Sequence, residues 1–339
     1  MNEQTATASK STHSAEPLSK GTQEKAQLYA TEDNPIPDGA SVGLLHTSDG
    51  AVIRFARWET KKRPSKGTVL LLHGRTEYIE KYFETIIELR ERGFGVLTFD
   101  WRGQGGSSRL LRDARKGHVD NFNQYLIDFE AVLTEIVLPD CASPYYVVGH
   151  STGSLIALMA APALTNRIRR MVLLAPLFEL NNLPMRQSVL QRLLGILTFA
   201  GFGRAYLSQN RKSYDEKPFL DNKLTSDEKR FQRSRDFLAK YPHLGISGPT
   251  IAWLFAACRA MAQVNAPEYC NAISIPTLLI GAGNDAVVSP SAIEAYGHKM
   301  RSGAFLTITG AKHEILQEQD VFREQLLAAF DAFVPGTEI

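Results

Sequence analysis

The stretch Tyr145-Tyr146-Val147-Val148-Gly149-His150-Ser151-Thr152-Gly153-Ser154 runs apolar, breaks at Gly149, presents Ser151 and resumes with helical spacing. This is the G-x-S-x-G pattern of a serine held on a tight turn between a strand and the helix after it. Gly149 and Gly153 flank the serine because such a turn leaves no space for a Cβ against the neighbouring strand and helix. The turn lifts the Ser151 hydroxyl over a helix N-terminus, where unpaired N–H groups favour developing negative charge. Within the elbow, His150 is expected to pack beneath the turn. A chain carrying this unit is constrained to strands that alternate with helices, an α/β fold with a mostly parallel sheet covered on both faces.

A serine is a weak nucleophile unless a histidine takes its proton and a carboxylate orients that histidine. In this architecture the order along the chain is serine, acid, histidine. A short buried strand at 275–281 is followed by Gly283-Asn284-Asp285, and a strand at 305–308 by Gly310-Ala311-Lys312-His313-Glu314. Asp285 and His313 therefore fall on loops after parallel strands, the edge of an open α/β sheet where ligands bind. The other seven of the eight histidines have plainer readings. His13 lies in a polar tail, His46 on an edge strand and His73 in a loop it shapes, while His118, His243 and His298 lack a loop-after-strand setting. Asp285 also suits a simple turn. Glu179, shortly after the strand at 171–174, is the rival acid.

Acyl transfer also needs an oxyanion hole, one N–H from the residue after the nucleophile and one from the loop after an earlier strand. Those residues are Thr152 and, after the strand at 68–72, Arg75. Only the Arg75 backbone is required. Its side chain either pairs with Glu77 to hold the loop or meets a substrate phosphate, for which a planar guanidinium is well shaped.

Strands are expected at 43–47, 51–58, 68–72, 96–100, 145–148 and 171–174, the first two joined by Ser48-Asp49-Gly50 as a hairpin. Helices are expected at 82–92, 121–137, 289–300 and 317–333. This divides the chain into a disordered polar tail (1–38), a first core part (39–179), a helical cap (180–268) and a second core part (269–339). The tail resembles neither a signal peptide nor a membrane span. Across 181–270 there are 13 Lys and Arg against 7 Asp and Glu, so 13 − 7 = +6, while the whole chain is +2. That segment also holds the apolar run 193–202 edged by Arg186, Arg192 and Arg204, which suits docking on an anionic membrane surface. A cap that only packs on the core, with its charges solvated, is the plainer reading. The small overall charge gives no reason to expect nucleic acid. Three widely spaced cysteines, Cys141, Cys258 and Cys270, point to a reducing, cytoplasmic setting and against a disulfide framework or a zinc site. No metal or organic cofactor is implied.

The chain resembles the α/β-hydrolase superfamily, within the group of monoglyceride lipases and bacterial lysophospholipases, and is most similar to the lysophospholipase L2 type. The segments carrying the resemblance are Gly74-Arg75-Thr76-Glu77 with Lys81-Tyr82, Asp100-Trp101-Arg102-Gly103-Gln104-Gly105, Gly117-His118-Val119 with Phe122-Asn123, Gly248-Pro249-Thr250 with Trp253, and His313-Glu314-Ile315-Leu316. It departs from the pattern at Thr152, where methionine is common, and at Ser154, where many relatives carry glycine. The resemblance implies a carboxylic-ester hydrolase acting on a lysophospholipid or monoacylglycerol, with acyl transfer between lipids as a further outcome. The basic, apolar cap, rather than the resemblance, suggests a peripheral position on the inner face of the membrane. Dehalogenases and epoxide hydrolases share the fold but use an aspartate nucleophile, which Ser151 disfavours. A prolyl-type peptidase would want carboxylates in the cap to hold a substrate amine, and this cap is basic. A non-enzymatic binding protein on this fold would be expected to lack part of the triad.

Overall fold

The computed structural model describes residues 26–207 and 218–334. Eight strands form one sheet in the order β1-β2-β4-β3-β5-β6-β7-β8. They are β1 (Ala40–His46), β2 (Val52–Trp58), β3 (Thr68–Leu72), β4 (Gly95–Phe99), β5 (Tyr145–His150), β6 (Ile168–Leu174), β7 (Thr277–Ala282) and β8 (Gly303–Ile308). The β1–β2 hairpin and the β2–β4 pair are antiparallel, and every later pair is parallel. The central strands are buried on both faces, which is why they read as unbroken apolar runs rather than alternating ones.

Their side chains nevertheless sort by the two-residue period of a strand. Val69, Leu71, Val148 and Ile280 face a core formed with α1 (Phe83–Glu91) and α10 (Asp320–Phe333). Leu70, Leu72, Val147 and Leu279 face the opposite core. That core is built with α2 (Asn123–Val132), α4 (Thr152–Leu164) and α9 (Pro290–Lys299). A π turn (Leu133–Val137) and the single turn α3 (Leu138–Asp140) extend α2, and α1 is preceded by a 3₁₀ turn (Ile79–Tyr82). Several helix ends are thus tighter or wider turns than the even periodicity of the sequence suggests.

Between β6 and β7 the strand–helix alternation stops. The helices here are α5 (Gln187–Leu197), running into a π turn (Thr198–Phe202), then α6 (Glu228–Lys240), α7 (Ile251–Val264) and α8 (Pro267–Ala272). Asp227 and Thr250 cap α6 and α7, accepting from the N–H groups of Arg230 and Trp253. Residues 208–217 of the expected cap lie outside the described residues.

The expected polar tail needs correction over 26–38, because this stretch lies on the body. Tyr29 packs edge-on to His243, Asn34 is buried and donates to the Glu80 carbonyl at 2.9 Å, and Trp58 donates its indole N–H to the Pro37 carbonyl. One aromatic residue, one asparagine and one proline carbonyl in a polar stretch were enough to find partners. Residues 1–25 lie outside the described residues.

Candidate active site

Six parallel strands, β3 to β8, end at one edge of the sheet, and loops leaving that edge hold the residues singled out in the sequence. Ser151 has φ 51° and ψ −111°, the strained conformation of a strand-to-helix elbow. A Cβ at Gly153 would fall on the carbonyl oxygens of Leu72 and His73, and one at Gly149 would meet the Ser154 backbone at 3.0 Å. The two glycines are therefore required by close approach. Thr152 is the first residue of α4, so its N–H has no intrahelical acceptor.

Ser151, His313 and Asp285 come together. His313 Nε2 lies 3.1 Å from Ser151 Oγ, and His313 Nδ1 lies 2.7 Å from Asp285 Oδ2. The other Asp285 oxygen accepts from the N–H groups of Val287 and Val288 at 2.8 and 3.0 Å. Burial pushes the Asp285 carboxyl up, but the His313 partner and these two amides outweigh it and hold it below the ordinary carboxylate range. All three side chains are buried. Glu179, the rival acid, is exposed, and among the described residues only its carbonyl is engaged, accepting from Ser289 N–H.

Arg75 follows Gly74 at the mouth of the β3 loop. The amides on either side are occupied, Gly74 N–H by Glu77 and Thr76 N–H by Gln104 Oε1 at 2.7 Å. The expected Arg75–Glu77 pair is not formed. The Arg75 guanidinium turns the other way, donating to the Ser247 carbonyl and lying 5.2 Å over the Trp253 ring. Glu77 is instead drawn inward, where several buried donors offer better partners than one half-exposed guanidinium.

Those donors form a charged cluster beneath the elbow. Glu77 accepts from Tyr82 Oη at 2.7 Å and faces His150 Nδ1 at 3.1 Å, while His150 Nε2 lies 3.1 Å from the His313 carbonyl oxygen. Lys81 pairs with Glu314 at 2.7 Å. Both His150 nitrogens face acceptors, so both donate when the ring is an imidazolium. Burial opposes that charge, but Glu77, Glu314 and the His313 carbonyl raise the His150 pKa above its ordinary value. His150 is thus packed beneath the elbow, where its two ring nitrogens link the Glu77 loop to the histidine loop. Lys81, Tyr82 and Glu314 had no role assigned from sequence. The available signal was their place in the Lys81-Tyr82 and His313-Glu314 segments, polar residues beside buried apolar ones.

A family model described as serine aminopeptidase, S33, matches residues 63–320, most of the chain. The chain belongs to this S33 family of α/β-hydrolases. Within the family it is similar to lysophospholipase L2 of Escherichia coli, 31% identical over 292 residues and covering 84% of each chain. It is also similar to probable lysophospholipase L2 of Haemophilus influenzae, 28% identical over 78% of this chain and 83% of that one. Among solved structures, monoglyceride lipase of Saccharomyces cerevisiae superposes with a TM-score of 0.69 at 20% identity, covering 89% of this chain and 97% of that one. The protein is a carboxylic-ester hydrolase.

Proposed function

We propose that this S33-family chain releases the fatty acid from a single-chain lipid, a lysophospholipid before a monoacylglycerol, through an acyl-enzyme on Ser151. The observation carrying the mechanism is the continuous line Ser151–His313–Asp285, with hydrogen-bond separations of 3.1 and 2.7 Å. His313 accepts the Ser151 proton as Oγ attacks the ester carbonyl, and Asp285 fixes the tautomer and stabilises the imidazolium. The N–H groups of Thr152 and Arg75 bind the oxyanion. His313 then protonates the leaving alcohol, and water, or a second lipid hydroxyl, releases the acyl group.

The choice of a lysophospholipid is supported by the 31% identity to lysophospholipase L2. Residues 180–268 act as a cap. The apolar side of α5 and the turn after it is exposed, with Phe199 at 96% and Ile196 at 65% exposure, and Arg186, Arg192 and Arg204 stand exposed around it. That combination favours a peripheral position on an anionic, cytoplasmic membrane face. Among the described residues no helix is long and apolar enough to cross a membrane.

A panel of matched lysophospholipids and monoacylglycerols, with Ser151→Ala as control, tests the reading. It expects the highest kcat/KM on a lysophospholipid and background rates for Ser151→Ala. A preference for monoacylglycerol would reverse the order of substrates, and turnover by Ser151→Ala would remove the mechanism.

A further inference from the structure

Three attachments of the 180–268 segment to the body fall on the loops that carry the acid, the histidine and the oxyanion amide. On the acid side, Asn181 Nδ2 donates to the carbonyl of Asp285 itself at 2.6 Å, and Asn181 N–H donates to the Val287 carbonyl at 2.9 Å. On the histidine side, Lys312 Nζ donates to the carbonyls of Asn222 and Thr225 at 3.0 and 3.3 Å, and Glu314 N–H donates to the Leu224 carbonyl at 2.8 Å. The residues immediately before and after His313 are thus both held by the same short segment. Glu318 reinforces this clasp, accepting from Lys312 N–H at 2.7 Å and Ser226 N–H at 2.9 Å. On the oxyanion side, Arg75 donates to the Ser247 carbonyl, and Thr250 N–H donates to the Gly117 carbonyl at 3.0 Å.

The acid and histidine loops are irregular backbone, anchored on one side by β7 and β8. The cap ties add to restraints from the body, where Glu318 accepts from Lys312 N–H, Lys81 pairs with Glu314 and Asn284 N–H donates to the Ala311 carbonyl. A 1 Å error in the position of a reacting group can cost about a hundredfold in rate, so whatever fixes these loops affects the chemistry. We propose that Asn181 and Lys312 are positioning residues, through which the cap sets the separation of Asp285 and His313. The cap then braces the triad as well as covering it, and displacing it disarms the triad. This rests on the Ser151–His313–Asp285 reading given above.

The test uses a short water-soluble ester, which has neither head group nor long chain for the cap to bind. Both positions are half-buried, so Asn181→Ser and Lys312→Gln are polar replacements that leave the core filled. Each is expected to lower kcat roughly 10- to 100-fold with KM little changed. The acid limb of the kcat/KM profile should also move to lower pH, because a loosened Asp285 stabilises the His313 imidazolium less. Lys312→Arg keeps donors for both carbonyls and should recover most of the rate. The two residues sit on different loops, so either variant that folds decides the matter. Wild-type kcat, or a loss that follows the melting curve while the limb stays in place, overturns the proposal. If Ser151→Ala hydrolyses this ester like the wild type, the triad reading itself has failed. A dead Ser151→Ala beside wild-type rates and limbs in both variants removes the brace alone.

Discussion

Ser151 is held at a backbone angle that favours glycine, and the strain is sustained by strand β5 before it and helix α4 after it. Such strain persists only where the surroundings over-determine it, and here it points one hydroxyl at one imidazole. Because the three residues act as a unit, Ser151→Ala and His313→Ala should each lower kcat on the order of 10⁴-fold or more. Asp285→Asn should be comparably severe, since it stabilises the wrong tautomer. Near-normal activity in Asp285→Asn together with loss in Glu179→Gln would reassign the acid. Under the elbow, His150 and Glu77 link stability to pH in opposite senses. The His150 contribution is complete below the ordinary value of 6.5 and is lost as pH rises through the raised folded value. Burial pushes Glu77 up, yet His150 and Lys81 pull it well below the ordinary 4.5, so its contribution is complete above 4.5 and is lost at lower pH. The melting temperature should therefore decline as pH rises beyond 6.5, and His150→Gln should flatten that decline. An undiminished slope in His150→Gln would assign the titration to another group.

At the scale of elements, the sequence made β3 legible to the residue and most other strands to within a few, because strands buried on both faces read as apolar runs bounded by turn residues. The elbow and the loops after β7 and β8 were legible for the same reason, and Ser151, Asp285 and His313 occupy the positions read for them. Pairings across the chain were not legible. Lys81 meets Glu314 from 233 residues away, and Arg75 meets Ser247 from 172. Nearest-neighbour chemistry suggested Glu77 for Arg75, and a buried cluster outbid it. The β3 loop therefore gives a sharper test than spacing could. Removing the guanidinium in Arg75→Met leaves the backbone N–H in place but breaks the cap contact, a loss shared by all substrates. Any phosphate contact adds a loss on lysophospholipid alone, about 10- to 150-fold in kcat/KM for a charge-assisted contact of roughly 1.5–3 kcal/mol. Equal losses on matched lysophospholipid and monoacylglycerol, with a lowered melting temperature, would leave Arg75 as a cap anchor only.

Across the whole molecule, charge and apolar surface are unevenly shared. The 181–270 segment carries +6 and the remainder of the sequence 2 − 6 = −4, and the cationic segment is the one that also exposes Phe199 and Ile196. Hydrolysis on anionic vesicles should exceed that on neutral ones and decline with added salt, as surface attraction is screened over about 8–10 Å. Phe199→Ser should weaken vesicle partitioning at least roughly tenfold, since burying such a side chain is worth about 1.5–3 kcal/mol. Equal rates on both vesicle types at low salt would remove the docking role. The central claim, a serine hydrolase of single-chain lipids acting through Ser151, is tested most directly by reacting the folded protein with a fluorophosphonate and mapping the adduct by peptide mass. The account predicts one adduct, on Ser151, abolished by His313→Ala and slowed by added lysophospholipid. An adduct on another residue, or none on folded protein, would contradict it.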